Sequence, residues 1–387
     1  MTNTQKPSVT ELDPVSLTQS LINHASVTPA DAGAMDKVQR TLEALGFRCQ
    51  RLRFGEIENL YARRGEVSPN LCFAGHTDVV PEGALEGWRS DPFAAAVENG
   101  VLTGRGAVDM KGGIAAWIAA VSRIGEVAGS LSFLITGDEE GEALDGTKKV
   151  VEWLQETGEV IDHCIVGEPT SSAVLGDMIK VGRRGSINAT ITVTGKQGHV
   201  AYPQRALNPV PVLVDIMAEL KARVLDDGYE RFLPSNLEIT TFDVANPTTN
   251  LIPQAASGRI NIRFNPAHSG AALQAWIEGV AAKAAEGSGA KVEVKAAISG
   301  EAFLTEGGAF VDLIQDAIRE QLGVEADPST TGGTSDARFI RALCPVVEFG
   351  LVGQTMHQVN EATPVKDLYD LADAYQRLIG LYFERMA

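Results

Sequence analysis

Leu131-Ser132-Phe133-Leu134-Ile135-Thr136-Gly137-Asp138-Glu139-Glu140-Gly141 joins an apolar run to three consecutive carboxylates. The first half has the length and composition of a buried strand rather than a helix. A buried strand that ends in three acids is costly unless something neutralises them. A solvated turn would do so by itself, and acidic turns are common. The reading therefore depends on whether other segments send matching groups to the same place.

Outward from that stretch, β-type runs at 47–53, 59–63, 70–74, 101–103 and 164–166 alternate with helical stretches at 14–25, 30–45, 114–124 and 147–155. Asp13 is placed to cap the first helix, with Pro14 in its first turn, and Gly46 closes the second. Such alternation is the signature of a layered α/β domain. Functional groups in those sheets gather at the carboxyl ends of the strands. The strand at 70–74 runs into His76 and Asp78, the segment after 103 reaches Asp109, and the strand at 164–166 ends in Glu168. His357 follows a C-terminal strand expected at 346–349.

The pattern changes near Arg184. Ile187, Ala189, Ile191 and Val193 alternate with polar residues, as in a half-buried strand. The spacing then predicts a helix at 208–225 capped by Asn208, strands at 237–244 and 256–264, a helix at 269–285 and a strand at 291–295. That order is ferredoxin-like, βαββαβ. It can stand as an inserted domain over residues 184–297, with 1–183 and 298–387 forming a discontinuous α/β domain. Helices at 308–322 and 365–385 complete the larger domain.

The 387 residues exceed one ordinary core. With 44% hydrophobic and 21% charged residues the chain is globular. A formal net charge of −17 argues against nucleic acid and anionic membrane as partners. No apolar run has spanning length, and residues 2–6 are polar with no signal-peptide core. Cys49, Cys72, Cys164 and Cys344 form no close pair in sequence, so free thiols and the cytoplasm are expected.

Taken singly, His76, Asp78, Asp109, Glu139, Glu140, Glu168 and His357 are weak signals. An isolated strand-end histidine is usually structural, and an Asp after Gly is usually a turn residue. Together they fail as surface decoration, because so many carboxylates at one sheet edge repel without a counter-charge. Two divalent cations would be neutralised by Asp109, Glu140, Glu168 and one hydroxide. With two imidazoles, that mixed nitrogen and oxygen set suits zinc. Glu139 and Glu140 are neighbours in a turn and point to different sides, so one can bind metal while the other faces a substrate. Lys111-Gly112-Gly113 lacks P-loop spacing, and its glycines are read as allowing close backbone approach to the metals. His24, His163 and His268 are read as structural or surface residues.

Four stretches carry a resemblance: Gly75-His76-Thr77-Asp78-Val79-Val80-Pro81, Gly104-Arg105-Gly106-Ala107-Val108-Asp109-Met110-Lys111-Gly112-Gly113, Asp138-Glu139-Glu140-Gly141 and Gly167-Glu168-Pro169. Their joint order resembles the M20 metallopeptidase family of dinuclear zinc amidohydrolases and peptidases, over nearly the whole chain. Further stretches around Arg183-Arg184-Gly185-Ser186, Gly198-His199-Val200-Ala201-Tyr202-Pro203, Thr331-Gly332-Gly333-Thr334-Ser335-Asp336 and Met356-His357-Gln358-Val359-Asn360-Glu361 resemble the members that release succinate from N-succinyl-LL-2,6-diaminopimelate, in lysine and diaminopimelate biosynthesis.

The resemblance implies two zinc ions per subunit, with cobalt or manganese as possible substitutes. Asp109 is then expected to bridge them, with His76 and Glu168 on one ion and Glu140 and His357 on the other. Glu139 is expected as general base, Asp78 as the holder of the His76 ring, and His199 as an oxyanion donor from the lid of a second subunit in a homodimer. A cis peptide is expected between Asp109 and Met110. The expected substrate is a small anionic succinylated amino acid, which needs local basic groups against the global charge. Arg183, Arg184 and Arg263 can supply them. Gly332, Gly333, Thr334 and Ser335 offer a carboxylate nest, and Ser186, Tyr202 and Asn250 offer further polar contacts. Cleavage of acetylornithine-like amides or dipeptides is the alternative within the same chemistry. A metal-binding protein without catalysis is the alternative outside it.

Overall fold

A computed structural model describes residues 11–387; the polar stretch at 2–6 lies outside them. The chain forms two compact units. The first comprises the chain up to Val181, Thr305–Ser329 and Ser335–Ala387; the second is Gly182–Leu304 with Thr330–Thr334.

The first unit is built on an eight-stranded mixed sheet. Its order is Arg48–Phe54, Ile57–Arg64, Ser130–Thr136, Asn70–His76, His163–Val166, Val346–Glu348, Met178–Lys180 and Asp327–Ser329. The four strands from Ser130–Thr136 to Val346–Glu348 run parallel. Their carboxyl ends therefore open on one edge, with His76 level with Thr136 and Ala74 level with Val166. Every residue of Ser130–Thr136 is buried, as expected of a central parallel strand covered on both faces.

The helix Lys111–Ser122 is buried along its whole length, the state of a helix that is apolar all round. Phe73 stacks on Trp117 with centroids 4.8 Å apart, and Tyr375 meets Trp117 edge-on at 4.7 Å. The Tyr375 hydroxyl donates to Phe349 O at 2.6 Å, so its one polar atom is satisfied inside the core. Gly113 has a packing reason. A Cβ there would lie 2.6 Å from Gly167 O, so glycine lets this helix rest on the strand end that carries Glu168.

The second unit has the order strand Gly185–Thr194, helix Pro209–Ala222, strands Asn236–Asp243 and Ala255–Phe264, helix Gly270–Ser288 and strand Lys291–Gly300. In space the antiparallel sheet runs Asn236–Asp243, Ala255–Phe264, Gly185–Thr194, Lys291–Gly300. This is the ferredoxin-like arrangement. Ile187, Ala189, Ile191 and Val193 are buried against Leu213, Ile216, Leu220, Leu273 and Ile277 of the two helices. Asn208 caps the first of them by accepting from Val210 N. Asp226 ties two loops together, accepting from Gly228 N, Ser235 N, Asn265 Nδ2 and His268 Nε2.

Several short strands escaped the sequence reading: Ala96–Glu98, Met178–Lys180, Asp327–Ser329 and Ala362–Pro364. Three residues are too few to show a period, and Pro364 argues against a strand by itself. The last strand of the second unit, Lys291–Gly300, also runs well past the expected 295. The four cysteines are free, and Cys72, Cys164 and Cys344 are buried.

Candidate metal centre

Parallel strand order delivers His76, Glu140 and Glu168 to one edge, and the loop after Val101–Thr103 brings Asp109 to them. The His76 imidazole is fixed through Nδ1, 2.9 Å from Asp78 O and 3.5 Å from Asp78 Oδ1. A Nδ1–H donated to that carbonyl leaves the Nε2 lone pair facing the site. Nε2 lies 3.2 Å from Asp109 Oδ1 and 4.0 Å from Glu168 Oε1. On the other side, His357 Nε2 lies 2.8 Å from Glu140 Oε1 and 3.2 Å from Asp109 Oδ2. Asp109 thus turns one oxygen to each of two donor groups. His76, Asp109 and Glu168 form one set with ligand atoms within 4.8 Å of one another, and Asp109, Glu140 and His357 form the other. His76, Glu139 and Glu140 make a third, overlapping set.

The carboxylate of Asp78 has a job beyond the His76 ring. Its oxygens accept from Glu139 N at 3.3 Å and Glu140 N at 3.0 Å, so it holds the turn that carries both acids. Asp138 braces the same turn from inside, accepting from Leu144 N and Asp145 N. The Glu139 carboxylate has no hydrogen-bond or ion-pair partner among the described residues. Asp109–Met110 is a cis peptide.

Two observations test whether cations fit here. Glu168 Oε1 is buried with no hydrogen-bond partner, a costly state for a carboxylate oxygen unless a ligand completes it. The charges also press on one another. Burial raises the Glu168 and Glu139 carboxyls well above their ordinary values, and neighbouring carboxylates push the same way. Burial alone would lower His76, but the bond to Asp109 and the charges of Asp78, Asp109 and Glu168 hold it well above its usual value. Bonds to Asp109 and Glu140 push His357 up to about 10. Burial lifts Asp78 to about 6. A positive charge placed among these acids would relieve that repulsion. Three carboxylates and two imidazoles in this arrangement fit a pair of divalent cations.

The other expected site residues fall in the second unit, except Ser335. Arg183 is buried and its guanidinium donates to Thr331 O at 3.4 Å. A Cβ on Gly332, whose φ is +106°, would strike that guanidinium, so this turn needs glycine. Gly333 is exposed and Thr334 half-buried beside it. Arg263 sits opposite Ser186 and Asn236 in the sheet. Arg184 donates to Asn236 Oδ1 at 3.0 Å, Arg263 to Asn261 Oδ1 at 3.2 Å, and Asn261 Nδ2 to Ser186 Oγ at 3.2 Å. Burial and the like charge of Arg184 both lower the pKa of Arg263. Neither Arg184 nor Arg263 has an ion-pair partner among the described residues. His199, Tyr202 and Asn250 cluster at the exposed two-stranded pairing of Gly198–His199 with Leu251–Ile252, where Val200 N donates to Asn250 O and the His199 and Tyr202 rings lie 5.8 Å apart. His199 Nδ1 accepts from Ala201 N at 3.0 Å, so neutral His199 carries its proton on Nε2.

Ser335 departs from the expected nest. Its hydroxyl is buried in the first unit and donates to Glu348 Oε1 at 2.6 Å. His24, His163 and His268 bond Ala32 O, the Tyr382 hydroxyl and Asp226, respectively. Arg105 and Glu361, both buried next to Asp109, were not singled out from the sequence. Both stood inside quoted motifs, but a charged residue beside a ligand gives no sequence signal of its own burial.

A family model described as peptidase family M20/M25/M40 matches residues 72–380. The chain is 66% identical over 381 residues to the succinyl-diaminopimelate desuccinylase of Caulobacter vibrioides, covering 98% of this chain and 99% of that one. It is 62% identical over 375 residues to the protein of that name in Phenylobacterium zucineum, covering 96% and 99%. Among solved structures it resembles an M20 family metallo-carboxypeptidase from Sulfolobus solfataricus, with TM-score 0.78 and 16% identity over 96% of this chain and 100% of that one. It also resembles a dinuclear metal-binding M20 peptidase from Bacillus subtilis, with TM-score 0.68 and 18% identity over 95% and 97%. At such identities the solved structures speak for the fold alone.

Proposed function

This chain belongs to peptidase family M20/M25/M40, and from that premise we infer that it hydrolyses N-succinyl-LL-2,6-diaminopimelate to succinate and LL-2,6-diaminopimelate. The observation that carries the reading is Asp109, with one carboxylate oxygen on each of two donor sets and the unpartnered Glu139 beside them. Relatives at 52–66% identity over almost the full chain carry the desuccinylase name, which supports the substrate.

Asp109 would be shared by two zinc ions, with His76 and Glu168 completing one set and Glu140 and His357 the other. Cobalt or manganese could substitute, because the donors are nitrogen and oxygen without thiolate. When bound, such ions supply Lewis-acid polarisation of the amide carbonyl and acidify water. Glu139 then takes the proton of the attacking water on its carboxylate and delivers it to the leaving amine nitrogen. Asp78 orients that base through the Glu139 N–H. His199, with Nε2–H free to donate, would stabilise the oxyanion.

The substrate brings three carboxylates to a protein of net charge −17. Arg184 and Arg263, like charges without acidic partners, supply the local field. Arg183, Ser186, Tyr202, Asn250, Gly332, Gly333, Thr334 and Ser335 would complete recognition, the last through its backbone. The second unit is then a lid and dimerisation domain, with His199 reaching the site of a second copy. Sedimentation equilibrium should give twice the chain mass, and a fully active monomer would refute the shared site. No helix among the described residues is long and apolar enough to cross a membrane; we place the enzyme in the cytoplasm.

The decisive experiment is succinate release from N-succinyl-LL-2,6-diaminopimelate, with acetylornithine and simple dipeptides alongside. Preference for either of the latter would reassign the substrate. In the same assay Arg263→Ala should raise KM by about tenfold or more, the loss of one charge-assisted clamp. Arg184→Ala should raise it less, since Arg184 lies at the sheet's rim. Equal effects would show that the clamp is misplaced.

A further inference from the structure

The ligand-bearing loops of the first unit meet at a buried ion pair that reaches the donor sets through backbone groups only. Arg105 is 2% exposed and Glu361 is fully buried. Glu361 Oε2 accepts from Arg105 Nη1 at 2.7 Å and Gly106 N at 3.1 Å. Its Oε1 accepts from Val108 N at 2.8 Å and Asp109 N at 3.1 Å. One carboxylate therefore gathers the backbone of the loop that ends in Asp109. Arg105 works outward from the same point, donating to Gln358 O at 3.3 Å and Pro81 O at 3.2 Å while lying over the Trp88 ring.

The topology explains why these groups meet. Ala362–Pro364 pairs antiparallel with Val101–Thr103. Glu361 immediately precedes the first strand and Gly104 follows the second, and Gly104 N donates to Glu361 O at 2.9 Å. The pair thus joins the segments carrying His76, Asp109 and His357. The His357 segment needs holding, because His357 and Asn360 have φ of +63° and +61°. Left-handed backbone is disfavoured at a non-glycine residue. Asn360 assists by accepting from Arg89 N at 2.8 Å and donating to Gly87 O at 2.9 Å.

We propose that Glu361, with Arg105, is the positioning residue of the two-metal centre, setting Asp109 and His357 in register through their backbones. The inference rests on the ligand assignment given under the proposed function. A buried ion pair that served stability alone could be replaced by apolar groups of the same volume. This one could not, because removing Glu361 would orphan three backbone N–H groups in the loop of the shared ligand. Since Asp109 is common to both sets, its misplacement should weaken both ions together, a signature that loss of a ligand to one ion does not share.

The test uses the full chain stripped of metal by chelation and titrated with zinc against a chromophoric competitor. Glu361→Gln should weaken both zinc affinities in parallel by about 10–100-fold, the usual effect of removing an outer hydrogen-bond partner of a ligand. Its kcat at limiting zinc should fall, with KM changed less than about twofold. Glu159→Gln, which breaks the pair with Arg63 at the opposite edge of the sheet, should lower the melting temperature and leave both affinities intact. Should Glu361→Gln fail to fold, Arg105→Lys carries the same readout, as an ammonium cannot replace the fork. Two affinities within twofold of wild type in the folded variant would overturn the proposal. A wild type that takes no zinc at Asp109 would instead overturn the ligand assignment and the inference with it.

Discussion

Glu139→Ala should bind two metal ions with unchanged affinity and turn over about 10³–10⁴-fold more slowly, with KM shifted only a few-fold. A positioned general acid–base contributes about 10²–10⁴-fold, and this carboxylate is asked to move the proton twice, from water and then to the amine. The structure separates it from its neighbour. Glu140 lies 2.8 Å from His357 Nε2, whereas Glu139 has no partner among the described residues and is held only through its N–H on Asp78. Burial raises its carboxyl, with Asp336, Glu140 and Asp109 adding to the effect. The rate should fall at acid pH, because the working form of Glu139 is ionised. Glu139→Gln should lose this acid limb along with the rate. Succinate release at the wild-type rate from either variant would remove Glu139 from the reaction, and loss of a metal ion would turn it into a ligand.

The strand that opens the sequence reading explains why so much of this centre was legible. Leu131 to Thr136 are apolar or small and central, so their burial, direction and terminus all follow from composition. Parallel packing then brings His76, Glu140 and Glu168 to one edge, whereas Asp109 follows a strand of a separate antiparallel sheet. The inserted unit was legible for the same reason: period-two alternation in Ser186 to Thr194 survives because one face packs on helices. Arg105 and Glu361 were not legible. Their burial depends on the three-residue strand Ala362–Pro364, which no period reveals, and a charge inside the core looks in sequence like a charge on the surface. The Ser335 hydroxyl was not legible either. A Gly-Gly-Thr-Ser run reads as a nest, yet the Ser335 hydroxyl donates to Glu348 on the buried strand Val346–Glu348.

Asp109→Ala should lose both metal ions and at least about 10⁴ in rate, the largest effect expected of a single ligand. Glu168→Ala and His357→Ala each remove a group from one set only, so each should leave one ion bound. The reasoning is geometric: Oδ1 of Asp109 faces His76 at 3.2 Å, and Oδ2 faces His357 at 3.2 Å. Removing it opens both sets and leaves two imidazoles without the carboxylate that holds their protons. Here pH adds a second readout. In the metal-free centre, bonds to Asp109 and Glu140 raise His357 to about 10, so at neutral pH the incoming cations must displace protons. Wild-type loading in weak buffer should therefore release protons, and metal affinity should fall as pH is lowered. In Asp109→Ala the largest cause of the His357 shift is gone, so proton release per ion added should shrink even at zinc concentrations that force binding. Chelation of the wild type should reproduce the loss of activity, with return only after the second equivalent of zinc. Two ions retained by Asp109→Ala, or full activity after the first equivalent, would show that the two donor sets do not share this residue as a working bridge.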